Sequence, residues 1–216
     1  MNRAIIWIVV IVALVYFTQQ PEAAEQSSNQ PATTVAEDTL TPLTSMLPPQ
    51  DKPTRVVVIG DSLTVGMSPF WPSNGDKLRV DIDATNGRPL HNANAIVKQS
   101  VGRTDAYVMA LGTNDCMSNP DEDEIRNLII SSLNTSEAKP VMLLTLGESG
   151  AIRDCAKRFN AVAKRLAANI PSLELGDWQA YIHDHPEWYG ETGDGIHLTP
   201  DGYKARAEWL NSLVVT

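Results

Sequence analysis

The stretch RVVVIGDSLTVG, Arg55–Gly66, decides how the rest of the chain is read. Its four consecutive β-branched residues, Val56–Ile59, have the composition of a strand buried on both faces. The run stops at Gly60-Asp61-Ser62, and helical spacing takes over from Leu63. A buried strand turning directly into a helix is the opening of a βαβ unit. Ser62 then has two readings: a nucleophile on the strand-to-helix turn, or a polar cap on the helix that follows.

The same alternation continues to the C-terminus. Apolar runs predict strands at Arg55–Ile59, Leu78–Ile82, Ala106–Ala110, Val141–Thr145 and, more weakly, Leu173–Leu175. Helices are predicted at Leu63–Ser68, Asn92–Gln99, Asp123–Leu133, Ile152–Asn169 and Thr199–Leu213. The third opens with the carboxylates of PDEDE, which suit a helix N-terminus. The fourth places Ala156, Phe159, Val162, Ala163 and Leu166 on one face, and the fifth has Pro200 in its first turn. Alternating strands and helices imply an α/β fold: a central, mainly parallel five-stranded sheet covered on both faces. Such sheets bind ligands at the carboxyl ends of their strands.

Applied as a filter, that rule selects Ser62 after the first strand and Gly87 after the second. It also selects Gly112-Thr113-Asn114 after the third, while Asp194 and His197 precede the last helix. The set suits acyl transfer. Ser62 needs a base, which His197 supplies, and Asp194 lies three residues earlier to orient the imidazole. The amides of Ser62 and Gly87 and the side-chain amide of Asn114 are candidate oxyanion donors. Each residue also has a plainer reading. Asn114 could close a local turn, His197 could be a surface histidine, and Asp184 and Asp201 compete with Asp194. Asp61 and Asp115 are expected to brace the site.

The four blocks GDSL (Gly60–Leu63), Gly87, GTND (Gly112–Asp115) and DGIHLT (Asp194–Thr199) resemble, in order, those of the SGNH/GDSL hydrolase family. The resemblance spans Thr54 to the C-terminus. It implies a flavodoxin-like α/β/α sandwich with Ser62, Gly87, Asn114 and His197 as the defining residues and Asp194-x-x-His197 as the acid–base pair. Gly87-Arg88, Asp177-Trp178 and the HPEWYG…DGIHLT ending also resemble SGNH domains attached to membrane acyltransferases of bacterial envelopes.

Two other motifs point elsewhere. VDIDAT (Val80–Thr85) resembles the start of a haloacid-dehalogenase-type phosphatase, but no matching acidic pair follows. His183-Asp184-His185 suggests a metal, yet the sequence shows no third ligand, and no metal or cofactor is expected.

The chain has 216 residues and a formal net charge of -9, which argues against a nucleic-acid partner. Residues 1–17 carry Arg3 and an unbroken apolar run from Ala4 to Phe17, read as a signal peptide or membrane anchor. Residues 18–53, rich in Pro, Gln, Ser and Thr, read as a tether without regular structure, and 54–216 as the catalytic domain. This predicts an extracytoplasmic domain, tethered to the membrane or secreted. Cys116 and Cys155 fall at the same sheet edge on neighbouring strands, so export predicts a Cys116–Cys155 disulfide. The expected activity is a serine esterase acting on a small acyl ester, with O-acetyl groups of envelope carbohydrate as the economical substrate. An O-acyltransferase and a non-catalytic envelope-binding domain are the alternatives.

Overall fold

Five strands build one parallel sheet: β1 (Thr54–Gly60), β2 (Leu78–Ala84), β3 (Ala106–Ala110), β4 (Val141–Leu144) and β5 (Leu173–Gly176). The computed structural model describes residues 42–48, 51–190 and 193–215. The expected anchor at 1–17, and the tether as far as residue 41, lie outside the described residues. Among the described residues, no helix is long and apolar enough to cross a membrane. The α-helices described are α1 (Ser62–Met67), α2 (Ala93–Ser100), α3 (Thr113–Cys116), α4 (Glu122–Thr135), α5 (Arg153–Ala167), α6 (Trp178–His183) and α7 (Pro200–Val214).

Strand side chains alternate between two cores. Val57, Ile59, Tyr107, Met109 and Leu143 point to one face, against α2, α4 and α5. Val56, Val58, Val108, Met142 and Leu144 point to the other, against α1, α6 and α7. That is why the first and third strands read as continuous apolar runs: both of their faces are covered. β2 lies at the sheet's edge, and its burial alternates, with Arg79, Asp81 and Asp83 exposed. Charges of this kind discourage edge-to-edge pairing.

The strand order β2-β1-β3-β4-β5 reverses direction between β1 and β3. A crevice forms at such a switch point, outside the carboxyl ends of the strands. The register aligns Gly60 with Ala84 on one side and Ala110 on the other, so β2, β1 and β3 end level. The loops after these strands therefore emerge beside one another.

Two elements differ from the sequence expectation. The tether was expected to lack regular structure up to Pro53, but Leu43–Met46 forms a 3-10 turn with Leu43 fully buried. The apolar pair Leu43 and Met46 explains this, because both pack into the core beneath α7 and β1. The short helix α6 is additional. Its six residues are too few to show a period, although Asp177 caps it by accepting from the Ala180 amide at 3.2 Å. The Asp121/Glu124 capping box of α4 matches the acid-rich start read in the sequence, with both of its bonds at 2.9 Å.

Leu43→Ala should lower the domain's unfolding free energy by about 2–5 kcal/mol, as for other buried leucines. Urea denaturation of the two proteins checks this, and an unchanged midpoint would show that the turn contributes nothing to the fold.

Candidate active site

The turn after β1 settles where the helix finds its cap. Asp61, 1% exposed, accepts the Leu63 amide through Oδ1 at 3.0 Å. That bond leaves the Ser62 hydroxyl without a capping task, and Ser62 Oγ lies 2.9 Å from His197 Nε2. On the far side of the ring, His197 Nδ1 meets Asp194 Oδ2 at 2.7 Å. Asp194 Oδ1 accepts the amides of Ile196 and His197 at 2.8 and 3.0 Å, which ties the carboxylate to its own loop. Burial works against the charge of Asp194, but the His197 bond and the two amides outweigh it and hold the carboxyl down at about 2. Ser62, His197 and Asp194 thus form one continuous hydrogen-bonded chain.

Gly87 and Asn114 stand on the loops that flank this chain. Gly87 has φ +74 in the turn closed by the Arg88 amide to the Thr85 carbonyl, and a β-carbon there would meet only open space. Thr85 itself donates to the Gly60 carbonyl at 3.1 Å, seating this turn beside the Ser62 loop. Asn114 Nδ2 donates to the Arg88 carbonyl at 3.2 Å and, more loosely, to Asp61 Oδ2 at 3.4 Å. The segments carrying Ser62, Gly87 and Asn114 are thereby linked by hydrogen bonds.

The position of Asn114 is fixed from both sides. Asp115, buried and with its carboxyl pushed up by that burial, accepts the Leu90 amide at 2.8 Å. Cys116 forms a disulfide with Cys155, tying α3 to α5 across a sequence separation of 39. Both sulfur-bearing residues are buried, at 3% exposure each. Asn160 of α5 adds a second brace, gripping the Leu146 amide and carbonyl at 2.7 and 2.9 Å. The loop so braced carries Gly150, where a β-carbon would collide with the Asp194 carbonyl. Gly150, at φ +58, is what lets this loop pack directly on the loop that carries Asp194 and His197.

Three contributors escaped the sequence reading. Gly150 and Asn160 carry no motif, although a glycine between a strand and a helix was available as a signal. Arg206 of α7 is 3% exposed and lies with Cζ 4.4 Å over the Trp178 ring. Burial lowers its pKa to about 10 against the opposing charge of Asp61. Burial likewise pushes Asp61 up, with Arg206, the Leu63 amide and the Thr113 hydroxyl pulling the other way. An arginine in the middle of a C-terminal helix would ordinarily be read as surface.

The competing motifs have other employment. Asp83 of the VDIDAT stretch pairs with Arg88 Nη2 at 2.7 Å, and the same nitrogen donates to Thr85 Oγ1 at 2.9 Å. His185 stacks on Trp188 at 3.7 Å between ring centres and bonds to Glu187 Oε1 at 3.0 Å. No group of three or more potential ligands for a metal occurs among the described residues.

The chain belongs to the GDSL-like lipase/acylhydrolase family, whose model matches residues 58–205. Solved structures share its fold at low sequence identity. The C-terminal catalytic domain of peptidoglycan O-acetyltransferase A from Streptococcus pneumoniae, with a methylsulfonyl adduct, is 18% identical at a TM-score of 0.62. That alignment covers 76% of this chain and 93% of the other. A lipase/acylhydrolase from Enterococcus faecalis is 16% identical at a TM-score of 0.59, covering 74% and 95%. A catalytic mutant of an acetylxylan esterase from Geobacillus stearothermophilus is 16% identical at 0.56, covering 76% and 94%. A comparison with curated protein sequences finds no match.

Two outcomes follow from this geometry. Asp194 prefers its ionised form in the folded state, so its contribution to stability is present above pH 3.8 and is lost as pH falls through about 2. Asp194→Asn should flatten that part of the acid-unfolding profile, followed by tryptophan fluorescence; a profile superimposable on the wild type would contradict the assignment. Replacing Cys116 and Cys155 together by serine should cost about 4 kcal/mol on the loop-entropy estimate. Guanidinium melts of the oxidised wild type and the double variant measure it.

Proposed function

We propose that the protein is a serine esterase that releases short acyl groups, O-acetyl above all, from carbohydrate. The observation that carries this reading is the unbroken chain from Ser62 Oγ through His197 to Asp194. In the proposed cycle Ser62 Oγ attacks the ester carbonyl carbon while His197 Nε2 takes the hydroxyl proton. The carbonyl oxygen becomes an oxyanion facing the amides of Ser62 and Gly87 and the Asn114 side chain. The contact of Asn114 Nδ2 with Asp61 is long at 3.4 Å, so the hydrogen in it can turn to the oxyanion at small cost. Collapse breaks the ester C–O bond, and the proton on His197 goes to the departing alkoxide oxygen. Water then gives its proton to His197 and its oxygen to the acyl carbon. The carboxylic acid leaves, and Ser62 regains its hydrogen.

The acetyl-carbohydrate assignment is supported by two neighbours in fold, one named for peptidoglycan O-acetyl transfer and the other for acetylxylan hydrolysis. The first also favours a second reading, in which a sugar hydroxyl replaces water as the acceptor. An extracytoplasmic location, with residues 1–17 as signal or anchor and 18–53 as a tether that docks at Leu43, accords with the apolar N-terminal run and with a disulfide beside the site.

With p-nitrophenyl acetate, Ser62→Ala in the full chain should lower kcat by about 10⁴-fold or more. Equal turnover by the two proteins would exclude Ser62 as the nucleophile. Adding a glycan acceptor and comparing acetate release with acetylated glycan divides hydrolysis from transfer.

A further inference from the structure

A groove of about 660 Å³ opens at Asn114 and follows α4 away from the site. Leu128 and Pro120 give it apolar patches, while His91, Asn127 and Ser131 supply polar edges. Past Ser131 it runs on into a second depression of about 590 Å³ that shares Asn127 and Ser131 and reaches Asn134. On α4 the residues Asn127, Ser131 and Asn134 follow at i, i+4 and i+7, so they form one stripe on the exposed side of the helix. The stripe is about 10 Å long at 1.5 Å per residue. The Asn94 amide donates to Ser131 Oγ at 3.0 Å, which fixes that oxygen and leaves its own hydrogen to donate outward. Asn94 Oδ1, behind it, is buried without a hydrogen-bond partner.

We infer that this track is a glycan-binding cleft, holding the sugar rings of a substrate whose ester reaches Ser62; the inference rests on the esterase reading for the direction of the substrate. The chemistry of the walls selects the occupant. A long acyl chain needs continuous apolar contact, and here amides and hydroxyls interrupt it. An anionic ligand needs a basic wall, whereas Asp115 and Glu124 line the first depression and Lys98 is opposed by Glu137 in the second, with the Asn127, Ser131 and Asn134 stripe itself neutral. A pyranose ring has an apolar face and a rim of neutral hydroxyls. It can lay the face on Leu128 and Pro120 and give the rim to Asn127 and Ser131. Neutral hydroxyls also leave water at less cost than charges do. Two depressions in line accommodate a chain of rings rather than one sugar.

Binding tests the cleft without requiring turnover. The full chain carrying Ser62→Ala is titrated calorimetrically with O-acetylated xylo-oligosaccharides and O-acetylated chito-oligosaccharides, from the monosaccharide to the hexasaccharide. Affinity should rise with chain length in at least one series, and Asn127→Leu with Ser131→Leu should weaken the longer members about tenfold. Both positions are exposed, and Asn127→Leu alone, which leaves the Asn94–Ser131 bond intact, repeats the test. Absence of binding in both series, no dependence on length, or equal affinity in the leucine variant would overturn the cleft. So would a wild type that hydrolyses p-nitrophenyl octanoate faster than the acetate, with the leucines accelerating it further. Failure of the esterase reading shows separately, as turnover of p-nitrophenyl acetate that Ser62→Ala leaves intact.

Discussion

The arrangement at the sheet edge depends on the bond from the Leu63 amide to Asp61. Every helix begins with amides that have no partner inside the helix, and a polar residue at its start usually supplies one. Here two adjacent residues are chemically able to do so. Because Asp61 takes the task, Ser62 sits at the first helical position with its hydroxyl directed to His197. The carboxylate that caps is also the one that touches Asn114, so helix start, serine and flanking amide share one buried charge. Keeping a carboxylate at 1% exposure is costly, and Arg206 is the cation that offsets it from below. A single buried acid thus couples the C-terminal helix to the turn after the first strand.

The fold was legible because its signals are local and repeated. Apolar runs such as Ala106–Ala110 coincide with strands, and the acid-rich start of α4 marks a true helix end. Burial of both strand faces is itself what makes such runs conspicuous. The switch point then follows from the strand order, and with it the place where separated blocks meet. Ser62 and Asn114 could be singled out because loops after strands of a parallel sheet have a common destination, and Asp194 and His197 because a serine there needs a base and an orienting acid.

What stayed hidden are contacts whose meaning exists only across the fold. Nothing local to Gly150 announces that its backbone must approach Asp194, 44 positions later in the numbering. Arg206 lies in the middle of a C-terminal helix, and the ring of Trp178 and the charge of Asp61, both distant in sequence, are what its burial answers to. Leu43 lies in the TPLTSML stretch, which could be read as docking on the domain but not as forming a turn, since four residues within a tether-like composition leave little mark on an average. In the same way, α6 is too brief for a period to emerge.

The Leu43–Met46 turn has a consequence for how the domain is presented. Thr44 lines a cleft with Thr54, Leu78 and Val215, at the starting ends of β1 and β2. Ser62 follows the finishing end of β1, one seven-residue strand away, or about 23 Å. The chain therefore enters the sheet at one end of β1, and Ser62 stands at the other. With Leu43 docked in the core, the chain's entry is pinned to the end of the sheet opposite the serine.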